Sequence, residues 1–284
     1  MSEIITRAGS HLPDRYMKKY NYEEKTYIDI DWSQKDKPLS LIKAGLVQKA
    51  DKWNAGSEHI IPEFTPISNQ GPIGSCVANA WCDMMEILDG LDGNDKVEQL
   101  SRLFLYWTAR YYTGDTDRDG GTYLRSAATQ LNKIGIVEEK FFPYEGSTSV
   151  VFKSPELDLY TMASNNRLPG FYRPDSMTPD ALLGELELSI RGDHPFVFGT
   201  PVSKAFQAYR GSVGVWGPPK DNEPLAGSHA MICTGVGYDG AKRWWLWRNS
   251  WGTGWGDNGH IKVSDDYILA CKDIWIGSKM PEMN

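Results

Sequence analysis

Apolar residues recur at helical spacing after Cys76. Ala80, Met84, Ile87 and Leu88 form one stripe, and Val77, Trp81 and Met85 widen it. The pattern predicts an amphipathic helix. Ser75 stands as its N-cap, and Asp89-Gly90 and Asp92-Gly93 end it. A second helix is predicted from Ser101 to Tyr112, with Leu103, Trp107 and Arg110 spaced along it. A third runs from Tyr123 to Ile134 and stops at Gly135. Thr178-Pro179 opens a further helix that reaches Arg191 before Gly192. After His194-Pro195 come strand-like runs: Phe196 to Val202, Ala230 to Tyr238, Arg243 to Arg248 and His260 to Val263, parted by Gly/Pro-rich turns. A short helix is expected between Asp36 and Lys49, and Ser147 to Asn166 is a weakly patterned connector. The pattern divides the chain into an N-terminal segment (1–63), a helical lobe (64–166) and a β-rich lobe (167–284).

Composition narrows the picture. The 284 residues suffice for one large core or two lobes. A net charge of −7 argues against nucleic acid as a partner. No stretch is long and apolar enough to span a membrane, and Met1 to Arg7 shows no secretory pattern, so a cytoplasmic setting is expected. The four cysteines, Cys76, Cys82, Cys233 and Cys271, include no closely spaced pair, which suits a reducing compartment. Buried free thiols are expected at Cys233 and Cys271, with a bridge between them as the alternative. Five of the eleven tryptophans fall between Trp244 and Trp255 and must be buried or line a cleft.

The chemistry gathers at three places. Asn69 to Ser75 is a polar, Gly/Pro-rich turn that delivers Cys76 to the first turn of its helix. Free backbone N–H groups and the helix dipole favour an anion there, so the thiol is expected to ionise readily and become a nucleophile. His229 opens one apolar run, 153 residues after Cys76, and Asn249 closes the next. Cysteine, histidine and asparagine, distant in sequence, form a pattern of nucleophile, base and base-orienting group. Trp245, Trp247, Asn249 and Trp251 share parity and are expected on one face, with Trp251 shielding the Asn249–His229 hydrogen bond. Asp115 to Gly120 also matches the first half of a calcium loop, but its twelfth position is Ser126 rather than the Glu such a loop needs.

These stretches, with Ile136 to Gly146 after the third helix, resemble the papain family of cysteine proteases from about Phe64 to about Trp275. The resemblance implies an α+β fold of two lobes, a helical left lobe and a β-barrel-like right lobe, with the active-site cleft between them. It implies a cysteine endopeptidase that hydrolyses peptide bonds through a thioester acyl-enzyme. Cys76, His229 and Asn249 would be its triad, and Gln70, six residues before Cys76, would supply an oxyanion-hole donor. Gly120 and Gly121 would pair with the substrate backbone, and Ser75, Ser228 and Trp251 would line the cleft. No metal or organic cofactor is implied. The expected partner is a peptide or protein substrate, and a monomer is expected.

Family members often carry an N-terminal segment that silences the enzyme as a zymogen. Residues 1–63 are open between that role and packing on the back of the body. The chain departs from the family pattern at several positions. Ile73 and Arg118 stand where secreted members have a pair of cysteines, Val77 replaces an aromatic residue after the nucleophile, and Gly227-Ser228 gives one pocket an unfamiliar wall. Two alternatives share the same motif: an acyl transferase using the triad, and a binding or assembly protein that keeps the fold without the chemistry.

Overall fold

The protein is described by a computed structural model covering residues 16–21, 26–31, 36–50, 56–94, 96–145, 147–176, 178–211 and 214–280. Helix α2 (Cys76–Leu91) is the axis of the molecule. Every residue from Cys76 to Leu88 is buried, so the helix is enclosed rather than amphipathic. Two further helices, α3 (Arg102–Thr113) and α4 (Leu124–Lys133), pack on one side of it. Ser101 caps α3 by accepting from Phe104 N, and Gly114 closes it in the left-handed conformation at φ 75°. The connector is more ordered than its pattern suggests: it holds a 3-10 turn at Thr148–Phe152 and α5 (Leu157–Ala163). Leu159 and Ala163 anchor α5, a spacing of four that seven residues are too few to repeat.

The other side of α2 faces an antiparallel sheet. Its strands are β3 (His59–Ile60), β4 (Gly170–Tyr172), β5 (Phe196–Ser203), β6 (Leu225–Asp239), β7 (Lys242–Arg248), β8 (His260–Ser264) and β9 (Lys272–Ser278). The order is β4-β9-β5-β6-β7-β8. Three helices belong to this part: α6 (Pro179–Arg191), α7 (Lys204–Ala208) and α8 (Asp265–Ala270). Long β6 pairs with β5 up to Cys233, and β3 takes over the same edge at Gly235 and Val236. The strand pattern missed β3, β4 and β9. In β9, Ile274, Trp275 and Ile276 are all buried, so the polar alternation that marks a half-exposed strand is absent.

Much of the N-terminal segment is built into the body. In α1 (Ser40–Ala50), Ile42 and Leu46 are buried, and the helix lies against α6. Leu39 N donates to Arg173 O (2.8 Å), Arg173 N donates to Lys37 O (3.0 Å), and Asp36 pairs with Arg125. Ile61 is fully buried and donates to Thr234 O at 2.8 Å. Nearer the start, β1 (Tyr16–Asn21) and β2 (Thr26–Asp31) form an antiparallel hairpin, with β1 beside α3. The rest of the silencing-segment expectation falls on residues 1–15, 22–25, 32–35 and 51–55, outside the described residues.

A buried chain of charges joins the two sides. Arg248, at the end of β7, pairs with Asp83 of α2 (3.1 Å) and with Glu63, and Nη2 donates to Thr65 O (3.1 Å) and Pro66 O (2.8 Å). Arg102 of α3 pairs with Asp83 (2.9 Å) and Glu86. Burial alone pulls the Arg248 pKa down, yet Asp83 and Glu63 hold it above its ordinary value. All four cysteines are free and buried.

Candidate active site

The fold brings the expected residues to one seam. Residues 68–70 run antiparallel to 250–252: Gln70 N donates to Ser250 O (2.9 Å) and Gly252 N to Ser68 O (2.9 Å). This ladder sets Gln70 beside the loop that carries Asn249. Cys76 starts α2, which packs across β6, and its sulfur meets the backbone N–H of Ala230, the residue after His229.

His229 Nε2 lies 2.7 Å from Asn249 Oδ1. The same oxygen accepts from Ser250 N at 2.8 Å. A backbone N–H can only donate, so the atom it faces is the amide oxygen, and Nε2 must carry the imidazole hydrogen. That leaves Nδ1 with the basic lone pair, and Nδ1 is fully buried without a hydrogen-bond partner. Trp251 stacks on the ring with centroids 4.4 Å apart and planes 24° from parallel. Phe206 and Trp255 brace Trp251 from the other side, at 6.0 Å and 5.4 Å. The shared-face expectation holds for Trp245 and Trp247, which touch Phe196 and Phe198. It does not extend to Asn249 and Trp251, because β7 ends at Arg248 and the alternation ends with it.

Gln70 is held from both ends of its amide. Nε2 donates to Ile73 O (2.8 Å), and Oε1 accepts from Ser250 Oγ (2.7 Å). Its position is buried. Ser250 is therefore a supporting residue that the sequence reading passed over, although it directly follows Asn249. Tyr144 is another: its hydroxyl donates to Gln70 O (2.7 Å) and lies 2.7 Å from Ser75 Oγ. Ser75 occupies the N-cap position but makes no side-chain cap. Its hydroxyl points inward, toward Tyr144 and Asn79, because the residue is buried beneath the turn. Ser228 is half-buried on β6, opposite Pro201. Gly120 is half-buried, whereas Gly121 is buried with φ 80° and donates to Tyr106 Oη at 3.1 Å.

Electrostatics correct one expectation. Cys76 and His229 are both fully buried. Burial pushes the Cys76 thiol up to about 11 and holds the His229 imidazole down at about 4. The helix start does not overcome desolvation here, so both groups are neutral in this state. The calcium reading loses its donors: the Asp119 carboxylate is taken by Gly74 N, Asp115 pairs with Arg118, and Ser126 is buried in α4. Among the described residues no group of three or more Asp, Glu, His or Cys is placed to hold a metal ion. No helix among them is long and apolar enough to cross a membrane.

The protonation pattern predicts acid sensitivity. His229 and His194 are buried neutral with values near 4, below the ordinary 6.5. The unfolded chain takes up these protons first, so stability is lost as pH falls from about 6.5 through about 4. Each group contributes on the order of 3 kcal/mol. Glu63, Glu187 and Asp193, held low, add losses further into acid, while Glu86 and Glu139, pushed up by burial, oppose them. Thermal melts should move steadily downward across this window, with a shallower slope in His229→Gln. A flat melting temperature across it would contradict the assignment.

Comparison with known proteins identifies the family. The family model described as papain family cysteine protease matches residues 50–275. An uncharacterized peptidase C1-like protein of Acanthamoeba polyphaga mimivirus is 27% identical over 223 residues, covering 76% of this chain and 70% of that protein. Papain of Carica papaya is 30% identical over 199 residues, covering 70% of this chain and 51% of the relative. Among solved structures, xylellain, a cysteine protease from Xylella fastidiosa, superposes with a TM-score of 0.75 at 24% identity, covering 96% of this chain and all of that one. A helix tipped by Cys76 lies across the strand that bears His229, with Asn249 in the loop just past β7, and the family match makes the molecule a cysteine peptidase. The chain belongs to the papain family of cysteine proteases.

Proposed function

We propose that the protein is a cysteine endopeptidase in which Cys76 is the nucleophile, His229 the acid and base, and Asn249 the orienting group. The observation that carries this reading is the 2.7 Å His229–Asn249 contact under Trp251. It fixes the tautomer that leaves Nδ1 as the proton acceptor. In the reaction the thiol proton passes to Nδ1, and the thiolate adds to a peptide carbonyl. The oxyanion draws on the Gln70 amide and the Cys76 N–H. Collapse breaks the C–N bond, and His229 protonates the leaving amine. Water, deprotonated by His229, then attacks the thioester, releases the acid and restores the thiol.

The substrate class is an extended peptide or protein chain, and the protein acts as a monomer. Mass spectrometry of products from a peptide library tests the reading. Hydrolysed fragments alone, with or without added amine, support it. Amine-capped products would favour acyl transfer, and intact peptides a non-catalytic binding role.

The fully buried pair further suggests a latent form. In this reading the first 35 residues restrain the enzyme, lowering its turnover without abolishing it, as in a leaky zymogen. Leu39, Ile42 and Leu46 belong to the core, so a cut near Ile60 would remove structure. The informative shortened chain begins at Asp36. Its peptide turnover should exceed that of the full chain several-fold, and equal turnover would sink the inhibitory role.

A further inference from the structure

We propose that Asp119 is a positioning residue that fastens the turn before Cys76 to the Gly120-Gly121 segment, so that nucleophile and substrate-backbone site move as one body. The proposal rests on the reading of Cys76 as the nucleophile. Both oxygens of the Asp119 carboxylate lie 3.1 Å from Gly74 N, two residues before Cys76. Oδ1 also accepts from Tyr106 Oη. The Tyr106 hydroxyl oxygen in turn accepts from Gly121 N at 3.1 Å. The path from nucleophile turn to substrate segment is thus Gly74, Asp119, Tyr106, Gly121, with every link a hydrogen bond.

The path is held from behind. The Arg110 guanidinium lies 4.1 Å from the centre of the Tyr106 ring, and Nη1 donates to Arg118 O at 2.8 Å. The packing around the turn is close. A Cβ on Gly74 would stand 3.0 Å from Asp119 Oδ1, 3.3 Å from Tyr106 Oη and 3.4 Å from Gly121 N. A side chain at 74 would push the clamp apart by a few tenths of an ångström. Ile73 and Arg118, the residues directly before Gly74 and Asp119, cannot form a covalent link, so the connection between the two turns here is a hydrogen-bonded one.

The clamp also has an electrostatic signature. Burial is the main reason the Cys76 thiol is held up, and the Asp119 charge adds to it. The titratable and charged groups facing this carboxylate are Tyr106 and Arg110 on α3, Cys76 on α2 and Tyr144, with Arg118 alongside, paired to Asp115. An asparagine at 119 keeps an oxygen for Gly74 N and Tyr106 Oη but removes the charge. An alanine removes both.

The test compares Asp119→Asn and Asp119→Ala in the full chain, at the pH of greatest turnover, by two readouts. One is kcat/KM on a peptide substrate, which needs both ends of the clamp. The other is the pH profile of Cys76 alkylation by iodoacetamide, which needs only the sulfur. Asp119→Ala should lower kcat/KM by about 10- to 100-fold, with alkylation at its optimum changed by less than about threefold. Asp119→Asn should stay within about threefold on peptide and shift the alkylation profile to lower pH. If Asp119→Ala does not fold, Tyr106→Phe carries the test. It keeps the ring under Arg110 and cuts the Gly121 link, and a loss of about tenfold on peptide is expected. Unchanged peptide kinetics with normal alkylation, or equal losses in the asparagine and alanine variants, would overturn the proposal alone. Absence of Cys76 alkylation in the parent protein would sink the nucleophile assignment and the proposal together.

Discussion

Cys76→Ala is expected to reduce peptide turnover by about 10⁴- to 10⁶-fold and to leave the protein folded. The size of the loss follows from the division of labour. In the proposed mechanism His229 and Asn249 prepare one nitrogen to take one proton, and without a sulfur there is no proton to take and no acyl-enzyme to form. The residual rate is what substrate binding and the oxyanion donors supply without a nucleophile. The fold should survive because the change removes one buried sulfur at the start of a helix whose other residues keep their partners. A thiol-directed epoxide should label the parent protein at residue 76, as read by peptide mapping, and should not label the variant. Labelling that persists on Cys82, Cys233 or Cys271, with activity intact, would remove Cys76 from the mechanism.

The largest effect on stability is expected at Arg248. Arg248→Met takes one of two arginine partners from Asp83, which is 2% exposed and keeps Arg102, and leaves Glu63 paired to His260. It also frees the carbonyls of Thr65 and Pro66. Breaking a buried pair from one side costs about 3–5 kcal/mol when the remaining charge has neither water nor counter-ion; Arg102 stays beside Asp83, so a loss toward the lower end is expected. Arg248→Lys keeps the charge but offers one compact head where the structure uses a fork reaching two carboxylates and two carbonyls, so an intermediate loss is expected. Urea unfolding of the three proteins measures the order. Parent-like stability in the methionine variant would show that the network carries no net stabilisation. Activity should fall along with stability, since Asn249 follows Arg248 directly and depends on it for its place.

Much of the site was legible because chemistry constrains residue type. A cysteine at a helix start, a histidine at the head of an apolar run and an asparagine at the end of the next are unusual choices for a core; the fold sets His229 within β6 beside Asn249, just past β7, with Cys76 against Ala230. The helices α2, α3, α4 and α6 were also readable, since caps and stops such as Ser101, Gly114 and Pro179 act locally. What escaped depends on burial from a distance. The polar residues of α2, Asp83 and Glu86, suggest a wet face, yet Arg102 and Arg248, which neutralise them, come from α3 and β7. The raised Cys76 thiol has the same origin. The helix start is visible in the sequence, but the desolvation that outweighs it is a property of the assembled protein. Ser250, Tyr144 and Tyr106 support the site through single hydroxyls, and no spacing rule marks a hydroxyl as a strut.

The short ladder between residues 68–70 and 250–252 has a mechanical consequence. It adds to the Arg248–Asp83 link between the two sides and holds Gln70 directly against Ser250. On the proposed reading, opening of the groove is then least beside Gln70 and greatest at the rim away from it. Tolerance for bulky side chains in a bound peptide should therefore be set far from the reacting bond, while the groups around that bond keep their spacing whichever peptide enters.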